Sequence, residues 1–259
     1  MKMFPISLAV ATVLCLPQMM GFMATDTPPP MWLRIPADGM TYLMLFFHEI
    51  GHTVGWWIFG YPALPSFNFE YGGGMTYSFT RSWLVLGGVW LGAAVLGAKL
   101  WQSRDLALLG ILGGAVLLHG ILILTGGDQL LPIATGHLAE IFVGSFCLLR
   151  AFLGTTDSRR GAVERWLNMI FGCFTLVHNV GLTGLLMFHD IGRAVYAAQK
   201  GGHLQGDMDR IAIGLGLPLP VIAGTLMALA IGIFAAAIYY GYTHAPQGPL
   251  EDKKTARRI

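Results

Sequence analysis

The sequence predicts an all-α polytopic membrane protein with about seven transmembrane helices and one short β-hairpin or strand segment at 66–80. Three observations predict it. Only 12% of the 259 residues are charged and 54% are hydrophobic, against roughly 25% charged in an average soluble domain. Apolar runs of spanning length, ~20 residues, recur along the chain. Between two of them, residues alternate around a triple glycine, which is a hairpin pattern and not a helical one. A soluble protein of this composition would carry large adhesive patches.

Seven segments meet the spanning criterion: 4–23, 39–59, 83–101, 106–125, 130–152, 166–188 and 212–242. They read as a single membrane domain over 1–259. It comprises an N-terminal span, a core at 39–152, accessory spans within 153–242 and a polar tail at 243–259. The first segment follows Lys2 and also fits a signal peptide or signal anchor. TPPP at 27–30 is a stiff loop before the second span. PSFNFEYGGGMTYSFT, within the loop 60–82, supplies the hairpin. Non-helical backbone near a bilayer survives only under protein cover or beside water, so the hairpin should tuck against the helices.

The net charge of +2 comes with no basic stripe, which speaks against a nucleic-acid partner. Cys15, Cys147 and Cys173 are odd in number and lack CxxC spacing, so neither a disulfide framework nor a zinc knuckle is implied.

The chemistry concentrates in HEIGH, residues 48–52. Ionisable groups are expensive inside a bilayer and mark function there by default. On a helix, His48 and His52 at i and i+4 share a face. Both imidazoles can ligate one Zn²⁺, with Glu49 beside the metal's water as its base. The ion supplies Lewis acidity and brings the water's pKa toward ~7. With 8 His and 5 Glu among 259 residues, about 0.005 chance occurrences of HExxH are expected.

A hydrolytic zinc takes three protein ligands and keeps one position open. The candidates for the third are His119, Asp128, His137, Glu140, His178 and His189. His52 lies ~10 Å from the end of its span at 1.5 Å per residue, and Asp128 begins the 130–152 span on the same side. Gly126-Gly127 just before it can turn the chain inward. His137 lies ~13 Å deeper, near the level of His48. Depth therefore allows either. His137 and Glu140 share a face at i and i+3 and also fit a buried pair, or partners that orient a ligand. His119, His178 and His189 read as core or interfacial histidines, and His203 and His244 as loop residues.

HEIGH, then YGGGMTY, then LGGVWLGAAVLGAKLW, then TGGDQLLPIATGH together resemble the site-2 protease family of intramembrane zinc metalloproteases, and most closely its compact bacterial branch without a PDZ domain. The resemblance covers roughly 39–150, and HExxH is its specific element. NxxPxxxLDG is absent, and His137 stands where the family has an apolar residue. The resemblance implies a zinc metalloendopeptidase with Glu49 catalytic and His48, His52 and Asp128 on the metal. It implies a membrane-protein or peptide substrate cut in or near a transmembrane segment, in a bacterial cell membrane. A helical substrate must unwind before its carbonyls can be attacked, and an exposed edge within 66–80 could hold it by β-augmentation.

With seven spans, the side holding the tail carries eleven Lys and Arg and the other carries five. That favours a cytoplasmic tail and an outward-facing hairpin and Asp128. The rival readings are a metal-binding membrane protein without proteolytic activity, serving as scaffold or sensor, and a metal transporter with histidines along a path.

Overall fold

The computed structural model describes residues 3–23, 28–68, 73–154, 159–199 and 206–245. Among them the chain forms nine helices and one two-stranded sheet. Helix α1, Met3–Phe22, is apolar along its length. Helix α2, Met31–Ile58, starts directly after the proline run and carries HEIGH near its C-terminal end. Strands β1, Ala63–Asn68, and β2, Gly73–Ser78, pair antiparallel with Ala63 opposite Ser78 and Asn68 opposite Gly73. The hairpin was expected over 66–80; its first arm begins three residues earlier, and its turn lies outside the described residues.

Helix α3, Trp83–Gln102, is capped by Ser82, whose hydroxyl accepts from Val85 N–H. Helix α4, Leu106–Thr125, is capped in the same way by Asp105. It stops at Gly126, which takes φ +79°, a left-handed conformation that a residue with a Cβ adopts only at a cost. Helices α5, Leu131–Leu153, and α6, Arg159–Phe188, follow. Two short helices, α7 over Asp190–Gln199 and α8 over Asp207–Leu215, precede α9, Leu219–His244.

Six helices among the described residues, α1, α3, α4, α5, α6 and α9, are long and apolar enough to cross a membrane. The seventh expected span lies in α2. At 28 residues this helix is ~42 Å long, but Arg34, Asp38 and the HEIGH side chains make it too polar to join that set. The helices that do qualify make this a membrane protein. Helix α4 buries none of its residues, and Leu84 and Leu124 are 89% and 87% exposed, as lipid-facing side chains must be. The expected span at 212–242 is two elements. Gly216 takes φ +65° and Pro218 follows, so the chain leaves α8 and starts α9 afresh.

Packing divides the chain into two compact units. One comprises Met1–Ala37, Ile141–Leu185 and Gly224–Ile259; the other comprises Asp38–Glu140 and Leu186–Ala223. In the first, Gly144 and Gly172 let α5 and α6 approach closely, and a Cβ on either would strike Thr175 or Leu148. The α6 side chains Thr175, Asn179 and Thr183 each donate to the carbonyl four residues back, which satisfies polar groups buried in the bundle. The second unit holds HEIGH and the hairpin. It also holds 186–223, within the stretch expected to be accessory.

Candidate metal centre

Glycine sets the geometry. Gly51 and Gly55 of α2 face α5, where a Cβ on Gly51 would run into the Thr135 carbonyl and Ala139, and one on Gly55 into Thr135 and Pro132. Gly136 of α5 in turn lies against both imidazoles; a Cβ there would sit 2.5 Å from His52 Nε2 and 2.8 Å from His48 Cε1. The two helices therefore meet at backbone distance, with the HEIGH rings between them.

Each ring is oriented by its Nδ1. His48 Nδ1 donates to Glu140 Oε1 at 2.6 Å, and His52 Nδ1 to the Pro132 carbonyl at 2.8 Å. Both partners are acceptors, so in the neutral rings the proton sits on Nδ1 and each Nε2 presents a lone pair. The Nε2 atoms lie 2.9 Å apart. Asp207 Oδ2 lies 3.0 Å from one and 3.1 Å from the other. Three acceptor atoms thus converge with no donor among them, which a cation at their centre would resolve. Tetrahedral zinc bonds of 2.0–2.2 Å set ligand atoms about 3.3–3.6 Å apart, so these three need to spread by only a few tenths of an ångström to hold one. Ligating histidines characteristically give their other N–H to a carboxylate or carbonyl, as both do here. The residues fit a divalent metal.

Asp207 stands in the first turn of α8, where the helix dipole favours a carboxylate. Glu49 is 3% exposed. Its carboxylate accepts from Thr76 Oγ1 of β2 at 2.7 Å. Glu49, His48, His52 and Asp207 line one cavity of about 280 Å³, together with Gly74 and Arg210 among others. Water fits there with ample room to spare.

The expected third ligand, Asp128, lies elsewhere. It is buried and ion-paired with Arg81, and it accepts from the Tyr61 hydroxyl at 2.9 Å. Gln129 donates to that same hydroxyl, and the Arg81 guanidinium stacks on the Tyr61 ring. Asp128 belongs to neither group of side chains close enough to share a metal. With its oxygens committed to Arg81 and Tyr61, it ties the chain around the hairpin to the start of α5. Asp207 is not among the ligands expected from the sequence; it lies between the expected spans 166–188 and 212–242, where no motif or periodicity marks it.

His137 and Glu140 form a second close group with His48. Glu140 spends one oxygen on His48. Its other oxygen and His137 Nδ1 are 3.6 Å apart, and both are buried without a hydrogen bond among the described residues. Glu140 therefore acts as the partner that orients His48. The remaining histidines have local partners. His119 Nε2 donates to the Ile58 carbonyl, His178 Nδ1 donates to Gln18 Oε1, and His189 Nδ1 accepts from Gly192 N–H at the start of α7. His244, expected in a loop, ends α9 stacked on Tyr240. His203 and the EDKKTARRI tail lie outside the described residues.

Comparison with protein-family models, with curated proteins and with solved structures gives no match, and the site therefore speaks through its own geometry.

Proposed function

We propose that the protein is a zinc metalloendopeptidase of a bacterial cell membrane, cutting peptide bonds in or near transmembrane segments. One observation carries the reading: His48 Nε2, His52 Nε2 and Asp207 Oδ2 converge within 3.1 Å of one another, beside Glu49, in a cavity. A bound zinc would supply Lewis acidity there, polarising a substrate carbonyl and acidifying a water.

The chain's own residues do the rest. His48 and His52 present lone pairs because Glu140 and the Pro132 carbonyl hold their protons on the far side. Asp207 contributes the anionic ligand. Glu49, buried against the cavity, takes a proton from water and passes it to the leaving amine. The hairpin borders the same cavity through Gly73–Thr76. Its two strands pair with each other, so an outer edge remains for an unwound substrate strand.

Metal analysis of the purified full chain tests the assignment. Zinc near one per chain is expected in the parent, in Glu49→Gln and in Asp128→Ala, and loss is expected in Asp207→Ala. Cleavage of membrane-segment peptides should disappear in Glu49→Gln and Asp207→Ala alike. Zinc retained in Asp207→Ala but lost in Asp128→Ala would return the third ligand to Asp128. Full activity in Glu49→Gln would overturn the protease.

A further inference from the structure

The carboxylate of Glu49 does not hang loose in its cavity; strand β2 holds it. Thr76 Oγ1 lies 2.7 Å from Glu49 Oε2 and 3.2 Å from the Glu49 backbone oxygen. That backbone oxygen already accepts from Thr53 at 2.8 Å. The single Thr76 proton is therefore better placed on the carboxylate, where a charge-assisted bond is shorter and stronger. Two residues earlier on the same strand face, Gly74 packs flat against the same group. A Cβ at Gly74 would stand 2.5 to 2.8 Å from Glu49 Oε1, Cγ and Cδ. Glycine brings the strand backbone in, and threonine supplies the hydroxyl. Among the described residues, Thr76 is the side chain that donates to this carboxylate.

We infer that Thr76 is a positioning residue for Glu49, setting the orientation from which the base takes its proton. The inference rests on the hydrolase reading above and adds a second duty for the hairpin beyond holding substrate. A general base must lie within ~2.6–3.2 Å of the proton it takes. A glutamate with one wall and no donor would sample other rotamers, and a ~1 Å misplacement can cost about 100-fold in rate. Because the donor sits on the strand beside the substrate edge, a peptide that adds to the hairpin and shifts β2 also shifts the base.

The test uses the zinc-loaded full chain in lipid nanodiscs and a pool of quenched-fluorescent peptides, each an apolar segment of spanning length. Thr76→Val removes the hydroxyl at equal volume, and Thr76→Ser keeps it. The expected result is a kcat lower by about 10- to 100-fold in Thr76→Val, with KM and zinc content unchanged. Thr76→Ser should stay within a few-fold of the parent. Parental kcat in Thr76→Val, or equal loss in the serine variant, would overturn the inference. So would loss of zinc from Thr76→Val, which would make the residue a scaffold for the metal.

A second readout separates this inference from the protease reading. In cobalt-substituted protein, the visible bands should shift in Thr76→Val as they do in Glu49→Gln, and should not shift in Thr76→Ser. An unshifted Thr76→Val spectrum overturns the positioning role whatever the activity. A parent that cleaves no peptide yet shows those shifts counts against the protease alone.

Discussion

Asp207 and Asp128 show how little a residue's type says about its duty. Both are carboxylates near glycines, Asp128 buried and Asp207 part-buried, yet Asp207 faces two imidazoles and Asp128 a guanidinium and a phenol. Breaking the Asp128 pair should therefore act on stability. Asp128→Asn is expected to lose ~3 kcal/mol, the usual cost of orphaning a buried partner, with zinc content unchanged; thermal unfolding beside metal analysis checks both. Gly136 is the opposite case, a residue without a functional group whose missing side chain leaves room for both imidazoles. Gly136→Ala puts a methyl where the imidazoles now sit, so zinc affinity should fall by at least 10-fold, as when a group that orients a ligand is lost. Competition with a chromophoric chelator would measure it. HEIGH was legible because its histidines are four residues apart and helical geometry alone brings them together. Asp207 was not, because 155 residues separate it from His52 and no periodicity spans that distance.

At the level of elements, the hairpin was readable and α8 was not. The alternation around GGG has one structural meaning, and the strands formed within a few residues of the expected place. The stretch 212–242 is apolar throughout, so it passed for one span although Gly216 and Pro218 divide it. Its first part became the C-terminal half of α8, and the carboxylate at the front of α8 went unread with it. Two outcomes follow at this scale. Replacing 66–78 with a short Gly-Ser linker should abolish peptide cleavage while zinc stays bound; undiminished cleavage would remove the hairpin from the mechanism. Gly206 abuts Tyr196, and a Cβ there would strike the phenol ring. Gly206→Val should therefore push the start of α8 aside and lower zinc occupancy, with the six spanning helices intact by circular dichroism.

For the whole molecule, a bound metal would tie together segments remote in the sequence. The three candidate ligands come from α2 and α8, braced by α5, and all lie within the unit of Asp38–Glu140 and Leu186–Ala223. Ligand binding to the folded state alone stabilises it by about 4 kcal/mol at a thousandfold excess over Kd. Removing zinc with 1,10-phenanthroline should lower the unfolding temperature and expose the 190–215 region to protease, and added Zn²⁺ should reverse both. Insensitivity of both readouts to the chelator would argue that no metal ties these elements.

Composition and short-range geometry were enough to establish a membrane protein, to place His48 and His52 on one helix face with Glu49 between them in the sequence, and to mark a hairpin within a few residues of where it forms. Those features depend on transfer free energy, on the i to i+4 repeat of a helix and on the alternation of a strand, and each acts within a few turns of chain. Folding in three dimensions brought Asp207 to the two imidazoles, bound Asp128 to Arg81 and set Thr76 on Glu49. These are contacts between remote segments, fixed where glycines let backbones touch and where a left-handed glycine starts a new helix, and they become visible only once the elements are packed.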